Sequence, residues 1–132
     1  LASMPFQSRA QTCELRANGT LAFTWTGIVD PDDVAALFGE VRAHLTGPAG
    51  NVLWDMTQVQ LLPGETRRRL LDEVVKTPPA ATAVVTSEFF VRIPVTMLLE
   101  VVGTELTPSP EYRFFDTERE ATEWLSARVG GA

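Results

Sequence analysis

Short apolar segments alternate with longer amphipathic segments along the chain, from Leu21 to Val129. Each apolar segment is followed by a stretch of helical length and periodicity. This alternation predicts a sheet whose strands are joined by helices, an α/β architecture. The four apolar segments are Leu-Ala-Phe-Thr-Trp at 21–25, Val-Leu-Trp at 52–54, Ala-Val-Val at 83–85 and Tyr-Arg-Phe-Phe at 112–115.

The first part of the sequence predicts an antiparallel hairpin. Residues 8–17 alternate loosely between apolar and polar side chains, and Asn18-Gly19 follows them. Asn-Gly is the strongest short hairpin signal, because both residues tolerate positive φ. Residues 21–25 then form the second strand, with their larger apolar side chains on one face.

Two helices with clear boundaries follow. Asp30-Pro31 is a strong helix start, because Asp accepts hydrogen bonds from the first free amides and Pro suits the first helical position. The apolar stripe behind it predicts a first helix at about 31–46. After a strand at 51–56, a loop between Thr57 and Thr66 leads into a second helix at about 64–76. The polar side chains expected to point outward from that helix are Arg67, Arg68, Asp72 and Glu73.

The third helix, predicted from Ser87 to about residue 102, is unusually apolar. Ten of the 14 positions from 89 to 102 carry large or branched apolar side chains, more than one buried face requires. Three explanations remain open: burial on two sides within the domain, contact with another protein, or a pocket for an apolar ligand. The candidates for the extra face are Phe89, Phe90, Ile93, Met97 and Leu98.

A final strand at 112–115 and a final helix complete the pattern. Thr117 and Glu120 predict a capping box at the start of that helix. We therefore expect a single α/β domain over residues 4–132. Its sheet should be mixed and mostly parallel, with about five strands and with four helices mainly on one side. Leu1-Ala2-Ser3, directly before Met4, is interpreted as a cloning remnant.

Composition narrows the range of partners. Eleven basic against 17 acidic residues give a net charge of −6, which disfavours nucleic acid and anionic lipid surfaces. No segment has the roughly 20 nearly uncharged residues of a membrane span, and we see no signal-peptide pattern at the start. One cysteine, Cys13, leaves no internal disulfide, so a cytoplasmic location is expected.

No residue cluster predicts catalysis, a cofactor or a metal ion. His44, the single histidine, lies off the apolar stripe near the end of the first helix, where the helix dipole favours a solvated histidine. Cys13 lies in a strand without the positive neighbours that activate a thiolate. The spacing of Asp30, Asp32 and Asp33 serves a helix start, and no further cation ligand is fixed nearby.

Two polar features, Asp55 and the three arginines at 67–69, each allow more than one interpretation. Asp55 ends a central strand, where α/β sheets often place functional groups, but an Asp there also caps the following turn. An acid–base enzyme built on Asp55 would have no evident partner group. Arg67-Arg68-Arg69 has two interpretations. It is either a binding site for a phosphate or an acidic partner, or a solvated, salt-bridged face. We favour the solvated face, because consecutive helix residues diverge by about 100°.

The order of the predicted elements resembles that of the STAS domain, and especially the SpoIIAA-like (STAS/SEC14) group of small bacterial proteins. The resemblance covers about residues 10–129. Three stretches carry it: Val-Leu-Trp-Asp-Met-Thr at 52–57, the Ala-Val-Val strand at 83–85 that leads into an apolar helix, and residues 114–125 from Phe-Phe-Asp to Trp-Leu.

The resemblance implies a domain used for binding and not usually for catalysis. Sigma-factor antagonists of this family carry a phosphorylatable serine at the start of the second helix. The corresponding loop here reads Leu-Leu-Pro-Gly-Glu-Thr at 61–66. The serine is absent, and Thr66 is a weak substitute for it.

These observations lead to the hypothesis of a non-enzymatic, cytoplasmic domain that binds another protein or a second copy of itself. The alternative is a small SEC14-like carrier of an apolar ligand, with an enclosed cavity near Trp54, Leu70, Phe89 and Met97. The predicted interaction surface consists of Thr57, Leu62, Glu65, Thr66, Arg67, Phe89, Phe90, Ile93, Met97 and Leu98.

Overall fold

The computed structural model describes residues 4–129 of the chain. The predicted cloning remnant at 1–3 therefore lies outside the described residues. Within this range six strands and four helices follow one another. They are β1 (Met4–Ser8), β2 (Gln11–Leu15), β3 (Leu21–Ile28), α1 (Pro31–His44), β4 (Gly50–Leu61), α2 (Gly64–Lys76), β5 (Pro79–Val85), α3 (Phe89–Glu105), β6 (Glu111–Phe115) and α4 (Glu118–Val129).

The strands form one sheet in the order in which they occur in the sequence. β1, β2 and β3 pair antiparallel, whereas β3, β4, β5 and β6 pair parallel. The sheet is therefore mixed and mostly parallel, as predicted. Asn18-Gly19 lies in the turn between β2 and β3, and Gly19 has the positive φ, 88°, that this turn signal supplies.

The described part of the chain has one strand more than the predicted five. β1 pairs with β2 through a tight turn at Arg9, whose φ of 50° lies in the left-handed region. The sequence Ser8-Arg9-Ala10 lacks the Gly, Asn or Pro that usually indicates such a turn. Local sequence signals therefore gave no reason to place a strand before it.

β4 extends five residues beyond its predicted end at Met56. Residues 57–61, predicted as a loop, continue to pair with β3, and Leu61 lies opposite Ile28. The pairing contains two register shifts, and three of these five side chains are polar, which hides a strand from a hydrophobic pattern. The loop before α2 is therefore short, only Leu62 and Pro63.

The helices agree with the prediction within a few residues. α1 ends at His44 instead of 46, and α2 has the predicted bounds. α3 begins two residues after Ser87, with Glu88 as its N-cap and without a capping side chain, and it continues to Glu105. At α4 the Thr117 hydroxyl accepts from the Glu120 amide at 3.2 Å and donates to the Glu120 carboxylate at 3.0 Å, so the predicted capping pair forms.

Two hydrophobic cores lie on opposite faces of the sheet. α1, α2 and α3 cover the larger core, in which Trp25 and Trp54 meet edge to face with ring centroids 6.2 Å apart. α4 covers the smaller core, to which Leu53, Val85 and Leu125 contribute. Within residues 4–129 the two buried indole N–H groups have no hydrogen-bond acceptor. Three helices on one face and one on the other agree with the predicted arrangement.

A buried ion pair joins α1 to α2. The Glu73 side chain, predicted to point outward, is buried and accepts a hydrogen bond from Nη1 of Arg42. Lys76 Nζ lies 3.5 Å from the second carboxylate oxygen of Glu73. The hydrophobic periodicity of α2 does not distinguish this position from a solvated one, because a partner on another helix decides it.

We expect Arg42→Met to lower the free energy of unfolding by about 2 kcal/mol, because the Glu73 carboxylate would stay buried with Lys76 as its remaining counter-charge. Urea denaturation of the wild type and the variant measures the change. The double variant Arg42→Met/Glu73→Leu should regain most of the loss, since it removes the buried charge as well. Equal stability of Arg42→Met and the wild type would contradict this role.

Candidate functional site

The outer face of α3 carries a row of exposed apolar side chains. Phe89, Ile93, Met97 and Val101 recur at every fourth residue and are 75%, 58%, 66% and 42% exposed, and Phe90 beside them is 52% exposed. We call these five residues the α3 stripe. Their spacing keeps them on one side of the helix. The opposite side, formed by Val91, Val95, Leu98, Leu99 and Val102, packs into the larger core.

The exposure of the α3 stripe excludes one of the three open explanations for the apolar third helix, namely burial on two sides within the domain. The extra face is not buried within the domain. A contiguous row of large exposed apolar side chains is characteristic of a surface that contacts something else. Two further exposed apolar residues, Ile28 and Leu61, lie opposite each other at the ends of β3 and β4.

Arg92 holds α3 in one rotation about its own axis. Its Nε donates to the carbonyl oxygen of Thr86 at 2.8 Å, and its Nη2 donates to Oδ1 of Asp116 at 3.0 Å. Its guanidinium group also lies 5.6 Å from the centroid of the Phe114 ring on β6. Arg92 thus ties the flank of α3 to the ends of β5 and β6, and the neighbouring Ile93 is directed to the outside.

A groove of about 330 Å³ lies between α2 and α3. It opens to solvent, because Met97 and Val101 of the α3 stripe form part of its wall. Among the described residues its lining contains apolar side chains and two arginines but no carboxylate. The lining residues are Arg67, Arg68 and Leu71 of α2 and Pro94, Met97, Leu98 and Val101 of α3.

The three consecutive arginines of α2 were predicted to form a solvated, salt-bridged face; Arg67 and Arg68 are exposed, but the predicted salt bridges are not found among the described residues. Within residues 4–129 none of Arg67, Arg68 and Arg69 belongs to an ion pair. They diverge around the helix as expected. Arg67 and Arg68 line the groove, whereas Arg68 and Arg69 line a second depression. That depression also contains the carboxylates of Asp30, Asp32, Glu65 and Asp72.

The predicted interaction residues divide into an exposed and a buried group. Thr57, Glu65, Arg67, Phe89, Phe90, Ile93 and Met97 are exposed. Leu62, Thr66 and Leu98 are buried. The hydroxyl of Thr66 donates to the carbonyl oxygen of Val29 at 2.6 Å, so it joins the start of α2 to the end of β3. Thr66 therefore makes a buried structural contact.

Asp55 makes a local hydrogen-bonded contact, but it neither ends a strand nor caps a turn as predicted, because β4 continues through it to Leu61. Its Oδ1 accepts from the backbone amide of Thr57 at 3.0 Å and from the Thr57 hydroxyl at 2.7 Å. This contact lies where the register between β3 and β4 shifts. Asp55 also borders a depression of about 400 Å³ whose other polar walls include Glu14, Arg16 and Glu118.

The acidic side chains at the start of α1 also make structural contacts. Asp30 Oδ1 accepts from the amide of Asp32 at 2.7 Å, which caps the helix. Asp33 accepts from the Ser8 hydroxyl and lies 2.9 Å from Arg9 Nε, so it anchors β1. Within residues 4–129 no three His, Cys, Asp or Glu side chains are grouped as a metal site would require.

The residues proposed to enclose an apolar ligand do not share a cavity. Trp54 and Leu70 are buried in the larger core, whereas Phe89 and Met97 are exposed on α3. The space available to an apolar group beside them is the open groove between α2 and α3. An open groove accommodates a side chain of a partner better than it encloses a lipid-like molecule.

Sequence reasoning missed part of this site. Val101 was counted among the apolar residues of α3 but not among those of its extra face, although it continues the four-residue spacing from Phe89. Arg68, Leu71 and Pro94 were not linked to the surface because the packing of α2 beside α3 is a tertiary contact. The four-residue spacing of the α3 stripe can be read from the sequence, whereas the groove depends on tertiary packing that the sequence pattern does not show.

The fold defines a STAS-type α/β domain: a sheet that begins with an antiparallel meander, continues in parallel and is covered mainly on one face. The SpoIIAA-like family model matches residues 20–126, and the chain belongs to this family. No helix within residues 4–129 has the length and apolar character needed to cross a membrane.

A solved structure supports the same fold. The chain is similar to an uncharacterized protein of the DUF3478 family with a SpoIIAA-like fold from Shewanella loihica PV-4, whose crystal structure it matches with a TM-score of 0.58. The two share 18% sequence identity, and the match covers 94% of this chain and 92% of the other. This likeness concerns the fold alone. No curated protein matches the sequence significantly.

We expect Arg92→Met to loosen α3 without unfolding the domain. The variant loses two hydrogen bonds and the contact with Phe114, which should lower the free energy of unfolding by about 1–2 kcal/mol. Hydrogen–deuterium exchange should accelerate in α3 more than in α1 or α2. As a control, Arg119→Met on α4 removes an exposed ion pair and should change stability by less than about 0.5 kcal/mol. Unchanged exchange in α3 would contradict the positioning role of Arg92.

We expect the Cys13 thiol to be unreactive in the folded protein. Burial, and to a smaller extent the charge of Glu14, raises the pKa of Cys13 from 9.0 to about 12. At pH 8 its reaction with Ellman's reagent should be at least about 100-fold slower than in 6 M guanidinium chloride, because only the thiolate reacts. Any stability due to this shift is present below pH 9 and lost as the pH rises towards 12. Comparable rates in the folded and unfolded protein would show that the thiol is accessible.

Proposed function

We propose that this domain is a non-enzymatic regulatory module that binds another protein through the α3 stripe and the adjacent groove. The observation that carries the proposal is the row of Phe89, Ile93, Met97 and Val101, all exposed on a helix whose other side is firmly packed. Membership of the SpoIIAA-like family supports a binding role. A cytoplasmic location belongs to the proposal and follows the reasoning from the single cysteine.

The polar groups support a binding role more than a catalytic one. Asp55, Asp30 and Asp33 each make a structural contact, at the register shift in β4, at the start of α1 and at the edge strand β1 respectively. His44 is exposed, and its Nδ1 lies 3.0 Å from the carbonyl oxygen of Glu40 on the same helix. Cys13 is buried with a raised pKa. None of these groups has the paired geometry that a nucleophile or a general base uses.

Affinity purification with three versions of the tagged protein in its source cells tests the proposal. Met97→Glu places a charge in the α3 stripe, and Ile28→Glu places the same charge at an equally exposed apolar site outside α3. Quantitative mass spectrometry should find at least one protein that the wild type and Ile28→Glu retain equally. Met97→Glu should retain it at least about tenfold less, because a charge buried in an apolar contact is costly.

The variants must first be compared as isolated proteins. Both substitutions are on the surface, so their unfolding temperatures should lie within a few degrees of the wild type. If Met97→Glu folds normally and retains the same proteins in the same amounts as the wild type, the α3 stripe is not the binding surface. Native mass spectrometry of the wild type checks the alternative, since a co-purified lipid-like mass would favour a carrier.

A further inference from the structure

The groove beside the α3 stripe has a chemical character of its own. Five of its seven lining residues are apolar, and the other two, Arg67 and Arg68, are exposed cations on one wall. The chain as a whole carries a net charge of −6. Among the described residues the groove is therefore an apolar channel with a positive border on an otherwise acidic protein.

The dimensions of the α3 stripe fit one helix of a partner. From Phe89 to Val101 the helix rises about 18 Å at 1.5 Å per residue. A helix lying along it would contact the stripe over about 12 residues of its own. Helices that bind in grooves present apolar side chains at i, i+3 or i+4 and i+7. One such side chain would enter the space of about 330 Å³ between α2 and α3.

The two arginines determine the charge of that partner helix. Neither Arg67 nor Arg68 has an ion-pair partner within residues 4–129. Arg68 is shared with the acidic depression on its other side, whereas Arg67 lines only the groove. A guanidinium group at the border of an apolar contact favours a carboxylate on the partner, which completes the pair without burying an uncompensated charge.

A second copy of this chain fits the same surface less well. A stripe about 18 Å long and about 10 Å wide offers on the order of 200 Å², against the roughly 800 Å² per partner that a stable dimer needs. A transient contact with a single helix does not require the larger area. An antiparallel pairing of two α3 helices about a two-fold axis would also place the arginine border of each copy opposite that of the other. Like charges so placed disfavour the contact.

Building on the function proposed above, we propose that the groove and the α3 stripe bind an amphipathic helix of another protein, with acidic residues along the edge that faces Arg67 and Arg68. The apolar face of that helix contacts Ile93, Met97 and Val101. The acidic edge fixes its orientation and discriminates against basic helices. Because the charged contacts are exposed, they contribute selectivity more than affinity.

Two designed 14-residue helical peptides test the inference on the purified protein. Both carry Leu at i, i+3, i+7 and i+10, one with Glu and the other with Lys along one edge of that apolar face. Fluorescence anisotropy at low salt should show the Glu peptide binding about tenfold more tightly than the Lys peptide. The preference should decrease as salt is raised, because exposed charges are screened.

Charge-reversal variants localise the effect. Arg67→Glu/Arg68→Glu should reverse the preference, so that the Lys peptide binds more tightly. Arg113→Glu/Arg119→Glu changes the net charge equally at exposed positions on β6 and α4 and should keep the preference for the Glu peptide. If both double variants reversed the preference to the same extent, the net charge of the protein would explain it, and the assignment to the groove would be overturned.

The remaining outcomes separate this inference from the proposed function. If both peptides bind equally and Met97→Glu abolishes both, the surface binds helices but does not select acidic ones, and only the inference fails. If neither peptide binds at millimolar concentration, the helix-binding inference is overturned, whereas a retained partner that Met97→Glu loses would still support the function. A dimer in light scattering that Met97→Glu dissociates would identify a second copy as the occupant and overturn the inference.

Discussion

The right-handed crossover between parallel strands determines where the helices of this domain lie. From β3 to β6 each strand is added beside the previous one, so the sheet grows in one direction. Because such crossovers are almost always right-handed, a sheet growing one way places all of its connecting helices on the same face. α1, α2 and α3 accordingly share the larger core. α4 follows the last strand and connects nothing further within residues 4–129, so it is free to cover the other face.

The exposure of the α3 stripe follows from this row of helices. α2 packs between α1 and α3, whereas α3 is the last connecting helix, and among the described residues its main helical neighbour is α2. Arg92 fills the other flank by tying α3 to Thr86 and Asp116. An ordinary last helix would present polar side chains to solvent. Here the outer face is apolar, and its junction with α2 carries Arg67 and Arg68, which form no ion pair within residues 4–129.

The sequence predicted the elements that have strong local signals. The Asn18-Gly19 turn, the Asp30-Pro31 helix start and the Thr117/Glu120 cap each involve contacts within a few residues, and all three occur in the structure. Features that depend on distant partners were missed or wrong. The turn at Arg9 has no typical turn residue, the end of β4 is polar but paired with β3, and the exposed-looking Glu73 meets Arg42 of another helix. The apolar excess of α3 was visible, but its exposure depends on the packing of α2.

The match between strand order and sequence order has a consequence for biosynthesis. Within residues 4–129 each strand after β1 pairs with the strand made immediately before it, and none of them is inserted between two earlier strands. Since domains emerge from the ribosome N-terminal end first, the growing sheet never has to open to admit a new member. Each added strand can pair directly with the exposed edge of the strand before it. An incomplete nascent chain therefore has the strand pairings of a smaller version of the finished sheet, and its growing edge stays unpaired until the next segment emerges.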